Sequence, residues 1–380
     1  MKQDNHEILT WIQALRGLAA LSVVLVHARF ILPESWAGVK TALVPASMGV
    51  DLFFVLSGFI MMLTTRHCEG TPRYAASFLI KRWARIWPLY FVVCVLTLIH
   101  GPSRSDENAF LTFFQGLFLY PVGIQTSPFW LAMPVAVAWT LIYEVYFYVV
   151  FGVSLLFGRW RWIALATWFA ATLVAIPYFA GHFSFSAMDA RPLYSFAFAN
   201  IATNPLIWDF IFGLIVGWVY LSRIRFSNAQ PLWLAVAFSA TLIVWACVTG
   251  VATTHGPNGW GWPIFAFVLS LALLSKTTHI PVPRWTVWLG GISYSLYLIH
   301  VFSFQITREA ISLLGIAGRD QVMVGHFILD PMVAVIIAWA LYRFIEQPLS
   351  VSARRKGLAM LDLPFLNRKR FAASSPAESQ

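Results

Sequence analysis

Charged side chains are scarce in this chain. Only 11% of its 380 residues are Asp, Glu, Lys or Arg, against about 25% in an average soluble domain. Cysteine is nearly absent: Cys68, Cys94 and Cys247 are odd in number and widely scattered, and two of them lie inside apolar stretches. That excludes a disulfide framework and shows no metal-ligand spacing. What stands in place of charge is apolar. Hydrophobic residues make up 59%, with 32 Phe and 18 Trp, and the mean hydropathy is +0.71. A water-soluble domain of this length cannot bury so much apolar surface, and the remainder would form exposed patches. A soluble Rossmann or barrel enzyme is excluded, as is a disordered chain. The formal net charge of +10 does not point to nucleic acid, because the basic residues are divided among several short loops rather than gathered into one footprint.

The bilayer is therefore the main solvent, and crossing its core of about 30 Å takes about 20 apolar residues in a helix. The expectation is an all-α, polytopic integral membrane protein with about ten spans: Trp11–Leu32, Met48–Thr65, Pro88–His100, Val135–Phe157, Trp162–Ala180, Pro205–Ser222, Leu232–Val251, Gly259–Ser275, Trp285–Phe304 and Val322–Ile345. The third is short, so its helix is expected to begin earlier, within the basic segment before Pro88. Phe110–Tyr120 is too short to cross. The first span shows no cleavage site and reads as a retained helix, not a signal peptide. With the N-terminus in the cytoplasm, 19 of the 26 Lys and Arg fall in inner segments, six fall outside, and Arg16 lies within the membrane. That asymmetry follows the positive-inside rule and puts both termini in the cytoplasm. Residues 1–349 read as the membrane domain, and residues 350–380 as a basic cytoplasmic tail, partly disordered.

Ionisable groups inside a membrane cost about 2.5–3.5 kcal/mol each on insertion scales, so they mark where chemistry is to be sought. His27 lies in the outer half of the first span, about 24 Å from its inner end at 1.5 Å per residue. A neutral imidazole there can act as general base; it can equally be a histidine hydrogen-bonded between helices. Asp51 opens the second span. It reads as the carboxylate that orients His27, as in a triad, or as a helix N-cap. Glu144 sits among aromatics in WTLIYEVYFY (Trp139–Tyr148) and must be protonated, paired or facing water. Trp139, Tyr143 and Tyr146 are candidates to stack on a sugar acceptor. Arg82 and Arg85 share a helix face at i and i+3; their guanidinium forks suit phosphates, or they simply flank a span on its basic side. Arg16 can snorkel toward the same region. His300 reads as an interfacial histidine near the outer end of its span, and His100, His182, His255 and His326 as solvated loop residues. No metal site is expected.

Taken together, the motifs resemble the acyltransferase 3 family of membrane-bound O-acyltransferases, in its exopolysaccharide acetyltransferase (ExoZ-like) branch. Six pieces carry the resemblance in order: LRGLAALSVVLVH (Leu15–His27), GVDLFFVLSGFIM (Gly49–Met61), RWARIWPLY (Arg82–Tyr90), WTLIYEVYFY (Trp139–Tyr148), ISYSLYLIH (Ile292–His300) and EQPLS (Glu346–Ser350). One departure is Trp139-Thr140-Leu141 where the family commonly has W-S-L; threonine keeps the hydroxyl. The resemblance implies a ten-helix fold with both ends cytoplasmic. It implies acyl transfer from acyl-CoA, usually acetyl-CoA, to a hydroxyl of an extracytoplasmic or lipid-linked glycan. It implies functional positions at Arg16, His27, Arg82, Arg85 and Glu144. It places the protein in the bacterial inner membrane, with no bound cofactor and with polysaccharide assembly machinery as a possible partner. The rival classes are a glycan or lipid transporter of flippase type and a structural scaffold. A transporter calls for inverted repeats or helices broken at matching positions, and no internal repeat is visible.

Overall fold

The computed structural model describes residues 2–100, 109–120, 127–129, 135–188, 194–252, 254–313 and 320–362. Among them every regular element is helical and no strand forms. In lipid a helix satisfies its backbone groups within one segment, so an apolar chain of this length takes this form. The principal helices are α1 (Lys2–Ala28), α2 (Gly49–Thr64), α3 (Pro72–His100), α4 (Trp139–Ser154), α5 (Arg161–Ala170), α6 (Ile207–Leu221), α7 (Gln230–Thr249), α8 (Gly261–Leu274), α9 (Arg284–Gly291), α10 (Ser293–Leu313), α11 (Asp320–Leu341) and α12 (Gln347–Met360).

Six helical stretches among the described residues are long and apolar enough to cross a membrane, and a seventh is added if α9 and α10, bent by 72° at their junction, count as one span. Each of the ten expected spans coincides with helix, but α6 has 15 residues and α8 has 14, short of a full crossing by length alone. The expected third span does begin earlier, at Pro72. Two expected spans merge in Ala136–Phe179, a 44-residue stretch. It folds back on itself: Phe147 stacks on Phe169 and Phe151 meets Trp162 edge-on. The reversal passes through Gly158, at φ 55° and ψ −116°, a region that side chains disfavour. Arg104, Arg191, Arg319 and residues 363–380 of the expected loops and tail lie outside the described residues.

The core is built around α1, which packs on α2, α9, α10 and α11, while α2 packs on α6 and α8. The α2–α6 crossing is close because both helices present glycine: a Cβ on Gly58 would lie 2.1 Å from the Phe210 carbonyl oxygen, and one on Gly213 would lie 2.0 Å from that of Val55. Small residues let membrane helices approach in this way. Beside the crossing, Phe54 and Phe147 both stack on the Phe210 ring, at 4.5 and 4.3 Å. The outer faces are apolar, with Val248 81% and Phe179 85% exposed, and the polar residues turn inward. With its several apolar helices and this inside-out polarity, the chain is a multi-pass membrane protein.

Candidate active site

Residues 140, 144 and 148 of α4 recur every four positions and so line one face of the helix. That face closes a cavity whose other walls come from α1, α2, α3 and α10 and whose free interior is about 50 Å³. Its polar lining is Arg16, Arg82, Arg85, Glu144, Tyr148 and hydroxyls that include Ser293 and Thr140. Four of the residues singled out in the sequence are thereby gathered from three separate helices. Arg16 donates to Ser293 Oγ at 3.2 Å. Arg82 donates to Thr64 Oγ1 at 3.3 Å, and its guanidinium lies 5.4 Å from the ring centres of both Phe78 and Tyr148. Tyr148 donates its hydroxyl to Glu144. Tyr294 Oη donates to the Ile86 carbonyl at 2.7 Å, which ties α10 to the arginine-bearing helix. Glu346 of the EQPLS motif accepts from Ser295 Oγ at 2.5 Å and so ties α10 to the segment between α11 and α12.

His27 lies beyond the cavity lining, reached through Tyr297 and His300. Tyr297 lines the cavity and shares a hydrogen bond with Thr140 Oγ1 at 2.8 Å. One turn further along α10, His300 is fully buried. Its Nδ1 bonds the Tyr297 carbonyl at 2.8 Å, and its Nε2 lies 3.3 Å from His27 Nδ1. The two rings meet edge-on at 4.9 Å. A carbonyl oxygen only accepts, so His300 carries its proton on Nδ1. His27 Nδ1 faces the Val23 carbonyl at 2.8 Å and must likewise be the protonated nitrogen. Its Nε2 is then left with a free lone pair, and that atom has no hydrogen-bond partner among the described residues. The ring is only half-buried, not sealed in packing.

Three expectations are corrected. Asp51 does not orient His27. Its carboxylate is fully buried and is occupied by His255 Nδ1 at 2.6 Å and by the Gly256 N–H at 2.8 Å. Gly256, at φ +79°, turns the loop before α8 so that its N–H points at the first turn of α2. The Val23 carbonyl takes the place expected for the carboxylate. Trp139, Tyr143 and Tyr146 do not line the cavity, because successive helix positions rotate by about 100°. Trp139 packs against Phe129 and His255, Tyr143 donates to the Pro128 carbonyl, and Tyr146 accepts from Trp168 Nε1 at 2.8 Å. Finally, His255 and His326 are buried rather than solvated; His326 bonds Asp330 at 2.9 Å.

Removing the Asp51 carboxylate would strand two buried donors, which costs about 1–3 kcal/mol each. Asp51→Ala is expected to lower the thermal midpoint of the detergent-solubilised protein markedly. An unchanged midpoint would show that the carboxylate contributes nothing to holding the loop.

Sequence reading passed over His300 as a functional residue, and it passed over Asp209 and Asp330. Both aspartates are fully buried. The available signal was an acid inside an apolar run, in IWDFIF and FILDPM, the same signal that singled out Glu144. Among the described residues no cluster of His, Cys, Asp and Glu has the makings of a metal site.

A chamber lined by three arginines thus lies between the same helices, α1 and α10, that carry the His27–His300 pair. The acyltransferase domain family, acyltransferase 3, matches residues 9–343, and the chain belongs to it: the protein is an acyltransferase. The exopolysaccharide production protein ExoZ of Rhizobium meliloti is 28% identical over 315 residues, covering 79% of this chain and 88% of that protein. Nodulation protein 10 of Rhizobium leguminosarum bv. viciae is 28% identical over 341 residues, covering 82% and 85%. The peptidoglycan O-acetyltransferase OatA of Listeria monocytogenes is 23% identical over 371 residues, covering 89% of this chain but 55% of its own length. No solved structure matches the chain.

Proposed function

We propose that the protein is an O-acyltransferase of the bacterial inner membrane that moves an acyl group, acetyl foremost, from cytoplasmic acyl-CoA to a hydroxyl of a cell-envelope or exported glycan. The observation that carries this reading is the stacking of two unlike sites along α1 and α10: an arginine-lined chamber, and above it the His27–His300 pair. Arg16 and His27 are eleven positions apart on α1, or about 16 Å. Arg82, Arg85 and Arg16 hold the donor's phosphates and the inner part of the donor, and the pantetheine arm runs along α1 toward His27. The relatives named for exopolysaccharide production and peptidoglycan O-acetylation support a glycan acceptor. The charge asymmetry of the loops supports ten spans with both termini cytoplasmic. It puts the arginines on the side where acyl-CoA is made.

In the reaction, His27 Nε2 takes the proton of the sugar hydroxyl as that oxygen attacks the thioester carbonyl. The tetrahedral intermediate collapses, the carbon–sulfur bond breaks, and the Nε2 proton passes to the departing thiolate. Transfer is direct, because a thioester is already an activated donor. His27 carries a positive charge midway through this cycle. Its Nδ1–H then points to the Val23 carbonyl and to the His300 Nε2 lone pair, which hold the ring in place and share the charge. Glu144 shares its chamber with the arginines rather than with the aromatics expected to hold sugar; its part is to offset their charge and to hold Tyr148. Asp51 acts on the loop before α8, as a positioning group away from the reacting atoms.

Membranes containing the protein, given radiolabelled acetyl-CoA, should transfer label to glycan. A transporter or a scaffold would leave none there. Without acceptor, direct transfer predicts no label on the protein itself, and stoichiometric labelling of His27 would require an acyl-enzyme instead. His300→Ala removes one hydrogen bond to the base. It is expected to lower kcat about 3–10-fold while leaving the KM for acyl-CoA unchanged, and an unaltered kcat would reduce His300 to packing.

A further inference from the structure

A second concave space opens on the other side of Arg82 and Arg85. It holds about 540 Å³ of free space and is lined by α2, α3 and α12. Its cations are Lys81, Arg82, Arg85 and Arg354, and no carboxylate lines it. Arg82 and Arg85 line this space and the catalytic chamber alike, so the two meet at that pair. Inner-face flanking charges need only reach water. Glu144 offsets Arg82 and Arg85 from the side of the catalytic chamber, but no carboxylate lines this space beside Lys81 and Arg354, and an anion there relieves their repulsion. Hydroxyls from Thr64, Ser77 and Ser350 share the wall, and Ser350 Oγ is buried without a hydrogen-bond partner.

The C-terminal helix completes this space. Sequence reading assigned residues from 350 onward to a tail, yet α12 lies along α3. Gly357 permits the contact, since a Cβ there would sit 2.6 Å from Ile80 Cγ2. Beyond the end of α12, Asp362 is paired with Arg73 near the start of α3. This docking sets Arg354 and Ser350 across from Lys81 and Ser77.

We propose that this outer space is a second donor subsite, in which Lys81 and Arg354 bind the terminal phosphate monoester on the nucleotide end of a coenzyme A thioester. The proposal rests on the reading of acyl-CoA as donor and extends it to residues of α12. Phosphate is the recognised chemistry: the monoester carries about −1.5 to −2 charge at neutral pH, and lysine and arginine are its usual partners. Arg82 and Arg85, at the junction, are left for the diphosphate and the inner part of the donor. The same chemistry is offered by an anionic lipid headgroup, so the test separates the two.

The full-length protein, in nanodiscs of zwitterionic lipid alone, is assayed with acetyl-CoA and with acetyl-dephospho-CoA, which lacks that monoester. Lys81 and Arg354 are both exposed, so the double substitution Lys81→Ala with Arg354→Ala should fold. It is expected to raise the KM for acetyl-CoA about tenfold and leave that for the dephospho donor within twofold of the wild type; Arg354→Lys should restore part of the loss. An unchanged KM for acetyl-CoA, or an equal rise for both donors, overturns the proposal. So does an effect that emerges only when anionic lipid is added, which would assign the space to a headgroup. Wild-type protein that binds neither thioester would remove the donor reading as well, whereas normal wild-type binding with an indifferent variant removes only this subsite.

Discussion

His27→Ala should lower acyl transfer by about 10²–10⁴-fold, the usual effect of losing a positioned general base, with the protein still inserted in the membrane and still binding acyl-CoA. The size of the effect follows from the geometry. Val23 and His300 both address Nδ1, so Nε2 is the atom with a lone pair to offer, and no other half-buried imidazole in the described core is held that way. Transfer assays on purified protein, together with a donor-binding measurement on the same sample, separate chemistry from binding. Near-normal transfer by the alanine variant would remove His27 as base. Loss of donor binding in parallel would show that the ring holds the donor instead.

The second large effect is expected at the arginine pair. Arg82→Ala combined with Arg85→Ala removes two cations that line both concave spaces. Hydrogen bonds to charged groups contribute about 1.5–3 kcal/mol each. Two together should weaken acyl-CoA binding by about 10²–10³-fold, with some allowance for water reaching the site. Equilibrium binding of acetyl-CoA to the solubilised protein measures this directly. Unchanged affinity would return both residues to the role of flanking charges that set topology. Arg82→Lys should recover less than its charge alone would restore, because an ammonium cannot reproduce the planar fork or its contact with the Phe78 and Tyr148 rings.

Much of the candidate site was legible in the sequence because of what the solvent forbids. A bilayer penalises every ionisable side chain, so Arg16, His27, Asp51 and Glu144 stood out against apolar neighbours without any structure. Helical periodicity then placed Arg82 and Arg85 on one face. It did not place the aromatics. Trp139, Tyr143 and Tyr146 flank Glu144 in sequence, but at 100° per residue they point toward His255, Pro128 and Trp168. Sequence adjacency was mistaken there for spatial adjacency. The Asp51–His27 pairing failed for a related reason. Both residues sit at the same end of neighbouring helices, but rotation of α2 turns the carboxylate toward the loop before α8.

Composition and periodicity by themselves determined that this chain lives in lipid, folds as helices and hides a few expensive polar groups among them. Those properties follow from the solvent and from the local geometry of a helix, and each can be read within about twenty residues. Only the tertiary structure decided which polar group meets which. His300 meets His27 across 273 positions of chain, His255 meets Asp51 across 204, and Arg354 reaches the rim of the arginine site from a segment that reads as a tail. Such pairings depend on helix rotation and on close crossings such as Gly58 against Gly213. They are settled by packing between segments, which no local pattern encodes.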